Sequence, residues 1–129
     1  MAVTKAKYFI SEMTDWKRTI AFHMDEIAGL TGRLAELIQR NSIPNLAAKV
    51  ERQQDKLNDI SKKIHRLQIQ LRRQEAGLKR DSVLLDDSQI KTETENYQKD
   101  LRQILHDLEK EFIDVKNDCQ SFLAGIYNK

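Results

Sequence analysis

The sequence is poor in residues that interrupt helices and in those that form disulfides or aromatic cores. Its 129 residues include one cysteine, one proline and four glycines, and aromatic residues make up 6% of the chain. So little proline and glycine argues against collagen-like, loop-rich and all-β classes. The single cysteine, Cys119, cannot form an intramolecular disulfide, so nothing indicates an oxidising compartment.

Long apolar runs and a dominant sign of charge are also missing. Charged residues interrupt every apolar stretch, so none reaches the roughly 20 residues that span a bilayer. The N-terminal lysines are not followed by the apolar run of a secretory signal. With 22 basic and 20 acidic side chains, the charge is too balanced for a general polyanion-binding protein. We expect a cytoplasmic protein without membrane contact, built as a single domain over residues 1–129.

Apolar residues recur at alternating intervals of three and four along three segments of the chain. This period is typical of the buried stripe of helices that pack as in a coiled coil. The first stripe consists of Met13, Trp16, Ile20, His23, Ile27, Leu30, Leu34 and Leu37. The second consists of Leu46, Val50, Gln53, Leu57, Ile60, Ile64, Leu67, Leu71, Gln74 and Leu78. The third consists of Leu101, Leu105, Leu108, Phe112, Val115, Cys119, Phe122 and Ile126, widened by Tyr97 and Ile104.

These stripes predict an all-α protein of three long helices. The predicted helices cover approximately 6–40, 45–80 and 88–127. Because short connections make neighbouring helices antiparallel, we expect an up-down-up antiparallel three-helix bundle with coiled-coil-like heptad packing.

Several details of this bundle follow from single positions. Pro44 fits the first turn of the second helix. Gln53 and Gln74 fall on core-type positions near the helix ends, where we expect them to stay hydrated. The segment 81–88 is predicted to be a connection, and its apolar residues 83–85 are expected to cover one end of the bundle.

Charge is distributed unevenly between the last two helices. Residues 49–80 carry ten basic and four acidic side chains, and residues 81–118 carry five basic and eleven acidic ones. This complementarity predicts that the two helices pack side by side through flanking charges. The alternative, a basic helix that tracks a phosphate backbone, lacks interleaved aromatic residues for base stacking. We therefore keep weak nucleic-acid binding as a third option and expect no nucleic-acid partner.

His23 is the most distinctive candidate ligand because it occupies a core-type position. His23 with Glu26, and His106 with Glu109, share a spacing that places both members of each pair on one helical face. Counting residues through both connections puts the two pairs at about the same height. Di-metal bundles use such side chains, although in the order Glu-x-x-His and with further glutamates. A metal- or ligand-binding bundle is the second hypothesis, and the alternative is a structural core histidine.

The first helix carries the strongest indication of an interaction. Between positions 19 and 38 it has only four charged residues, and its non-core positions are mainly small. Two glycines within a helix cost about 1 kcal/mol each relative to alanine, which close approach of another backbone would offset. We predict an interface formed by Trp16, Phe22, Met24, Ala28, Gly32 and Ala35. The alternative is that the first helix is the most buried helix of a broad bundle.

No sequence motif indicates catalysis. There is no Gly-rich phosphate loop, zinc-ligand spacing or Ser-His-Asp signature, and Cys119 lies within an apolar stripe as a small hydrophobic residue. We expect no metal, no cofactor and no small-molecule substrate. The leading hypothesis is a non-enzymatic cytoplasmic protein that acts through protein–protein contacts, as a homodimer through its first helix.

Overall fold

The structure is a computed structural model that describes residues 4–40, 43–84 and 92–127. These residues form three helices and no strand. The helices are α1 (Lys5–Arg40), α2 (Leu46–Leu84) and α3 (Thr92–Tyr127). The helices pack against one another, which confirms the predicted all-α three-helix bundle.

The second helix extends further than predicted. α2 continues to Leu84, so residues 81–84 are helical and do not belong to a loop. The predicted start of the third helix at 88 lies outside the described residues. The expected packing of residues 83–85 also lies outside the side chains that the structure describes.

Local hydrogen bonds fix the starts of α1 and α2. The backbone N–H of Lys7 donates to Oγ1 of Thr4 at 3.2 Å, as at a helix N-cap. Before α2, Asn45 has a φ of 62°, a left-handed conformation that asparagine adopts more readily than most residues. Pro44 and Asn45 form the turn before α2, so Pro44 does not lie in the first helical turn as predicted.

Ion pairs between α1 and α3 show that these helices run parallel. Arg102 Nε donates to Glu12 Oε2 at 2.7 Å, and Lys116 pairs with Glu26 about four turns further along. Both partners therefore advance in the same direction along the chain. The first and third helices point the same way, as the up-down-up topology requires.

α2 runs antiparallel to both neighbours and is joined to them by charged side chains. The ion pairs that α2 makes with the other two helices are Lys17–Glu75, Lys56–Asp118 and Lys63–Glu111. In the two pairs with α3, the position on α2 increases as the position on α3 decreases, and α2 is therefore also antiparallel to α1, which runs parallel to α3. The pairs at Asp118 and Glu111 join the basic second helix to the acidic third helix, as the charge pattern predicted.

The core lies along the three predicted stripes, and α2 follows its stripe most closely. All ten predicted positions of the second stripe are buried. Gln53 and Gln74 are buried among them, so the expectation that they stay hydrated is wrong. Over the described residues, no helix is long and apolar enough to cross a membrane.

The other two stripes differ from the prediction at their edges. Trp16 and His23 are only partly buried. Ile104, which was expected to widen the third stripe, is 40% exposed. Gln98 and Leu123 are buried on α3 although neither was assigned to the core.

Candidate interaction surface and polar core

The outward face of α1, defined here by Ala21, Ala28, Gly32 and Ala35, lies at the surface of the bundle. All four residues are exposed. The alternative that α1 is the most buried helix of a broad bundle is wrong, because more residues of α2 than of α1 are buried. This face leaves a helix surface of small side chains open to solvent.

The two glycines of α1 have no packing role among the described residues. A Cβ added at Gly29 or at Gly32 would meet no atom within 4 Å. Glycine in a helix interior costs about 1 kcal/mol relative to alanine. Nothing in the described part of the chain offsets this cost at either position.

The predicted interface residues separate into two groups. Phe22, Ala28, Gly32 and Ala35 are exposed, and Phe22 retains 62% of its accessible surface. Trp16 and Met24 are partly buried and pack against the core. Trp16 also lies beneath a charge, since the Cζ atom of Arg102 is 6.0 Å from its ring centroid. The structure thus does not place these two residues on the outward face.

Phe22 borders a groove between α1 and α3. The groove has a volume of about 350 Å³, and Gly29, Arg33 and Gln120 also line it. The ion pair between Glu26 and Lys116 lies at the same groove. An exposed aromatic ring beside an open groove is a surface to which another protein segment can bind.

His23 is held inside the bundle without a hydrogen bond. Neither ring nitrogen has a partner among the described residues, although both nitrogens are buried. The Nδ1 atom lies 3.9 Å from Oε1 of Glu26, which is beyond hydrogen-bond distance. The ring packs on Phe112 with a centroid separation of 4.5 Å. His23 is therefore a partly buried residue that packs on Phe112 and makes no hydrogen bond within the described residues.

The structure does not bring His106 and Glu109 to His23 and Glu26. His23 lies opposite Phe112, and His106 precedes Phe112 by six residues, or about 9 Å of helix. The predicted equal height is therefore wrong. His106 is exposed. Across the residues described, no three His, Cys, Asp or Glu side chains are grouped closely enough to hold a metal ion.

Cys119 is buried in the third stripe, as predicted for a small hydrophobic residue. Burial raises the pKa of its thiol, and the nearby Asp118 carboxylate raises it further. A thiol with a raised pKa forms little thiolate at neutral pH and is a poor nucleophile.

A buried polar layer that the sequence reasoning missed connects all three helices. Gln98 on α3 donates through Nε2 to Oε1 of Glu12 on α1 at 2.9 Å. Gln74 on α2 donates through Nε2 to Oε1 of Gln98 at 3.2 Å. The same Gln74 atom donates to the carbonyl oxygen of Thr94 at 3.1 Å. We call Glu12, Gln74, Gln98 and Arg102 the polar layer.

One signal in the sequence pointed to this layer. Gln98 lies three residues before Leu101, so the alternating interval of the third stripe extends back onto it. Gln74 already lay on the second stripe. Two glutamines on facing core positions are able to satisfy each other's amide groups, since each supplies donors and an acceptor.

Three carboxylates between helices are held in their charged form. Burial raises the pKa of Glu12, but hydrogen bonds from Arg102 and Gln98 outweigh it, so its pKa lies below its ordinary value. The pKa of Glu75 is lowered by hydrogen bonds from Lys17 and Lys79. The pKa of Asp118 is lowered mainly by the hydrogen bond from Lys56.

The fold and its surfaces define the class of this protein as an all-α three-helix bundle. Comparison with protein-family models, with curated proteins and with solved structures gives no match. The functional argument therefore depends on the chain's own surfaces.

Proposed function

We propose that this protein is a non-enzymatic cytoplasmic helical bundle that acts through protein–protein contacts on the outward face of α1. The partner that we propose is a second copy of the same chain, so that the protein forms a homodimer. The observation that supports the proposal is an exposed, weakly charged helix face of small residues, on which a Cβ added at Gly32 would meet no atom within 4 Å. Small residues allow two helix backbones to come close together. Such an approach would offset the cost of glycine in this helix.

Phe22 and the groove beside it extend the proposed contact. Aromatic residues at the centre of interfaces contribute much of the binding free energy. Phe22 is the most exposed of the large apolar side chains that the structure describes. A partner on the outward face of α1 would cover this ring together with the small residues.

The first test is the mass of the protein in solution, measured by multi-angle light scattering at two concentrations. We expect a mass of twice the protomer for the wild type, and the mass of one protomer for Gly32→Glu, with unchanged helicity. Gly125→Glu is the matched control, because Gly125 is an exposed helical glycine on α3 with open space around it. Equal masses for the two variants would contradict a homodimer through α1.

A second measurement addresses a different protein partner. A photo-crosslinking residue at Ala28 should give a discrete adduct in cells, whereas the same residue at Gly125 should not. A wild-type monomer with an adduct at Ala28 would retain the protein–protein function and exclude the homodimer. Without a dimer and without an adduct above the control, the proposal fails.

A further inference from the structure

The outward face of α2 carries a concentration of positive charge. Positions on this face are separated by three or four residues, so their side chains lie side by side. The exposed residues of this face are Lys62, His65, Arg66, Ile69, Arg72, Arg73 and Ala76. Four of them are Lys or Arg, and none is a carboxylate. We call these seven residues the basic face of α2.

The acidic third helix leaves this charge largely unneutralised. Its ion pairs with α2 engage Lys56 and Lys63, which lie at the edge facing α3. Within the described residues, none of the four cations of the basic face forms an ion pair. The charge pattern of the sequence predicted that α3 pairs with α2, and in the structure this pairing involves the edge of α2 that faces α3.

The α3 carboxylates nearest to the basic face already have partners. Asp107 and Glu111 line a groove together with Arg66. Asp107 accepts a hydrogen bond from Nε2 of Gln103 at 2.9 Å, and Glu111 accepts from Nζ of Lys63 at 2.7 Å. Arg66 forms no ion pair with either carboxylate, although both line the groove beside it.

We infer that the basic face of α2 binds the phosphate backbone of duplex nucleic acid without reading its base sequence. Its cations extend from Lys62 to Arg73, about 16 Å along a straight helix. Three of the four are arginines, whose planar guanidinium groups match phosphate geometry. The basic face has no Phe, Tyr or Trp side chain, and its one imidazole, that of His65, does not make a platform on which successive bases stack, so recognition is directed to the backbone.

The chemistry of the face favours phosphate over an acidic protein surface. Its one large apolar residue, Ile69, is 45% exposed and stands alone on a convex helix. Protein interfaces derive most of their affinity from clustered buried anchors. Binding to phosphates requires only positioned positive charge and the release of counterions. This site is independent of the proposed function, because it lies on a different helix.

The test is fluorescence anisotropy of the full chain with a labelled 20-base-pair duplex DNA of mixed sequence. Four phosphate contacts predict a slope of about −3.6 for log affinity against log salt, so affinity falls roughly 100-fold from 50 to 200 mM. Removing two contacts with Arg66→Gln/Arg73→Gln should reduce this fall to roughly 10-fold. Lys99→Gln/Lys110→Gln on α3 is the control with equal loss of exposed charge, and it should leave the slope unchanged.

Further variants and competitors separate this site from general charge attraction. Arg66→Lys/Arg73→Lys retains the charge and should retain the slope. A change of base sequence should alter the affinity by less than about threefold, because base edges are not read. The inference is overturned if no binding occurs at 50 mM salt, or if the two glutamine double variants behave alike. It is also overturned if polyglutamate displaces the duplex at equal charge concentration, which would assign the face to an acidic protein.

Discussion

His23 is partly buried and Gln98 is fully buried, and the buried polar atoms of these two side chains have opposite environments. Gln98 has no exposed surface and bonds through both its amide nitrogen and its oxygen. The ring nitrogens of His23 are buried without a hydrogen-bond partner among the described residues. An unsatisfied buried polar group costs about 1–3 kcal/mol. His23 is thus a position where an apolar side chain fits the core better than the native residue.

We expect His23→Leu to raise the free energy of unfolding by about 1 kcal/mol. The variant removes the desolvation cost of two buried nitrogens, about 1–3 kcal/mol, and loses the ring contact with Phe112, about 0.5–1.5 kcal/mol. Urea unfolding at pH 7 measures the difference. His106→Leu, at an exposed position, should change stability by less than about 0.5 kcal/mol. A loss of stability in His23→Leu would contradict the account of the unsatisfied ring.

At the scale of the helices, the apolar pattern predicted the core and missed its polar connections. The second stripe could be read completely because α2 makes the most extensive contacts with the other two helices, which bury its whole stripe. Ile104 was misplaced because it lies beside the stripe, one residue before Leu105, where its side chain lines the groove between α2 and α3. The polar layer depends on which residues of three helices face one another. That register is set by connection geometry and cannot be counted along the sequence.

The polar layer gives a prediction about the contact between helices. Gln98→Leu should lower the free energy of unfolding by about 1–3 kcal/mol, because Glu12 loses a donor and Gln74 loses an acceptor. In Gln74→Leu/Gln98→Leu, the loss should be smaller than the sum of the single variants, since an apolar pair replaces both partners. Thermal and urea unfolding measure the stability of the single variants and of the double variant. Gln103→Leu, at an exposed position on α3, is the control.

Strict additivity of the two glutamine variants would contradict direct coupling through the layer. The outcome also shows whether the polar layer helps to specify the register of the helices. Buried polar groups at core positions can fix helix register, because a shifted arrangement leaves them unpaired. Gln98 on α3 bonds to both α1 and α2 and would fix the register of α3 against these two helices.

For the whole molecule, carboxylates between helices make stability dependent on pH. The pKa values of Glu12, Glu75 and Asp118 are all lowered by partners on a neighbouring helix. A carboxylate with a lowered folded pKa stabilises the protein above its unfolded pKa, 4.5 for Glu and 3.8 for Asp. This contribution is lost as the pH falls through the lower folded value. It is fully present at neutral pH.

We therefore expect the urea midpoint to be nearly constant from pH 7 to about pH 5 and to fall progressively below pH 4.5. Glu12→Gln should lower the midpoint at pH 7 and flatten its fall in acid, because the variant has no proton to take up at that site. Glu93→Gln, at an exposed position in the first turn of α3, should follow the wild type. If the urea midpoints of the wild type and Glu12→Gln fall in parallel with pH, the Glu12 carboxylate makes no contribution to the pH dependence of stability.

The burial of Cys119 also has a kinetic meaning. As the one sulfhydryl of the chain, completely enclosed in the core, it reacts with an external reagent only during excursions in which α3 separates from its neighbours. If opening costs about 5 kcal/mol, the reaction slows by more than about a thousandfold relative to a free thiol. The rate at which an external reagent modifies Cys119 therefore reports transient opening of the bundle, and no cysteine has to be introduced for this measurement.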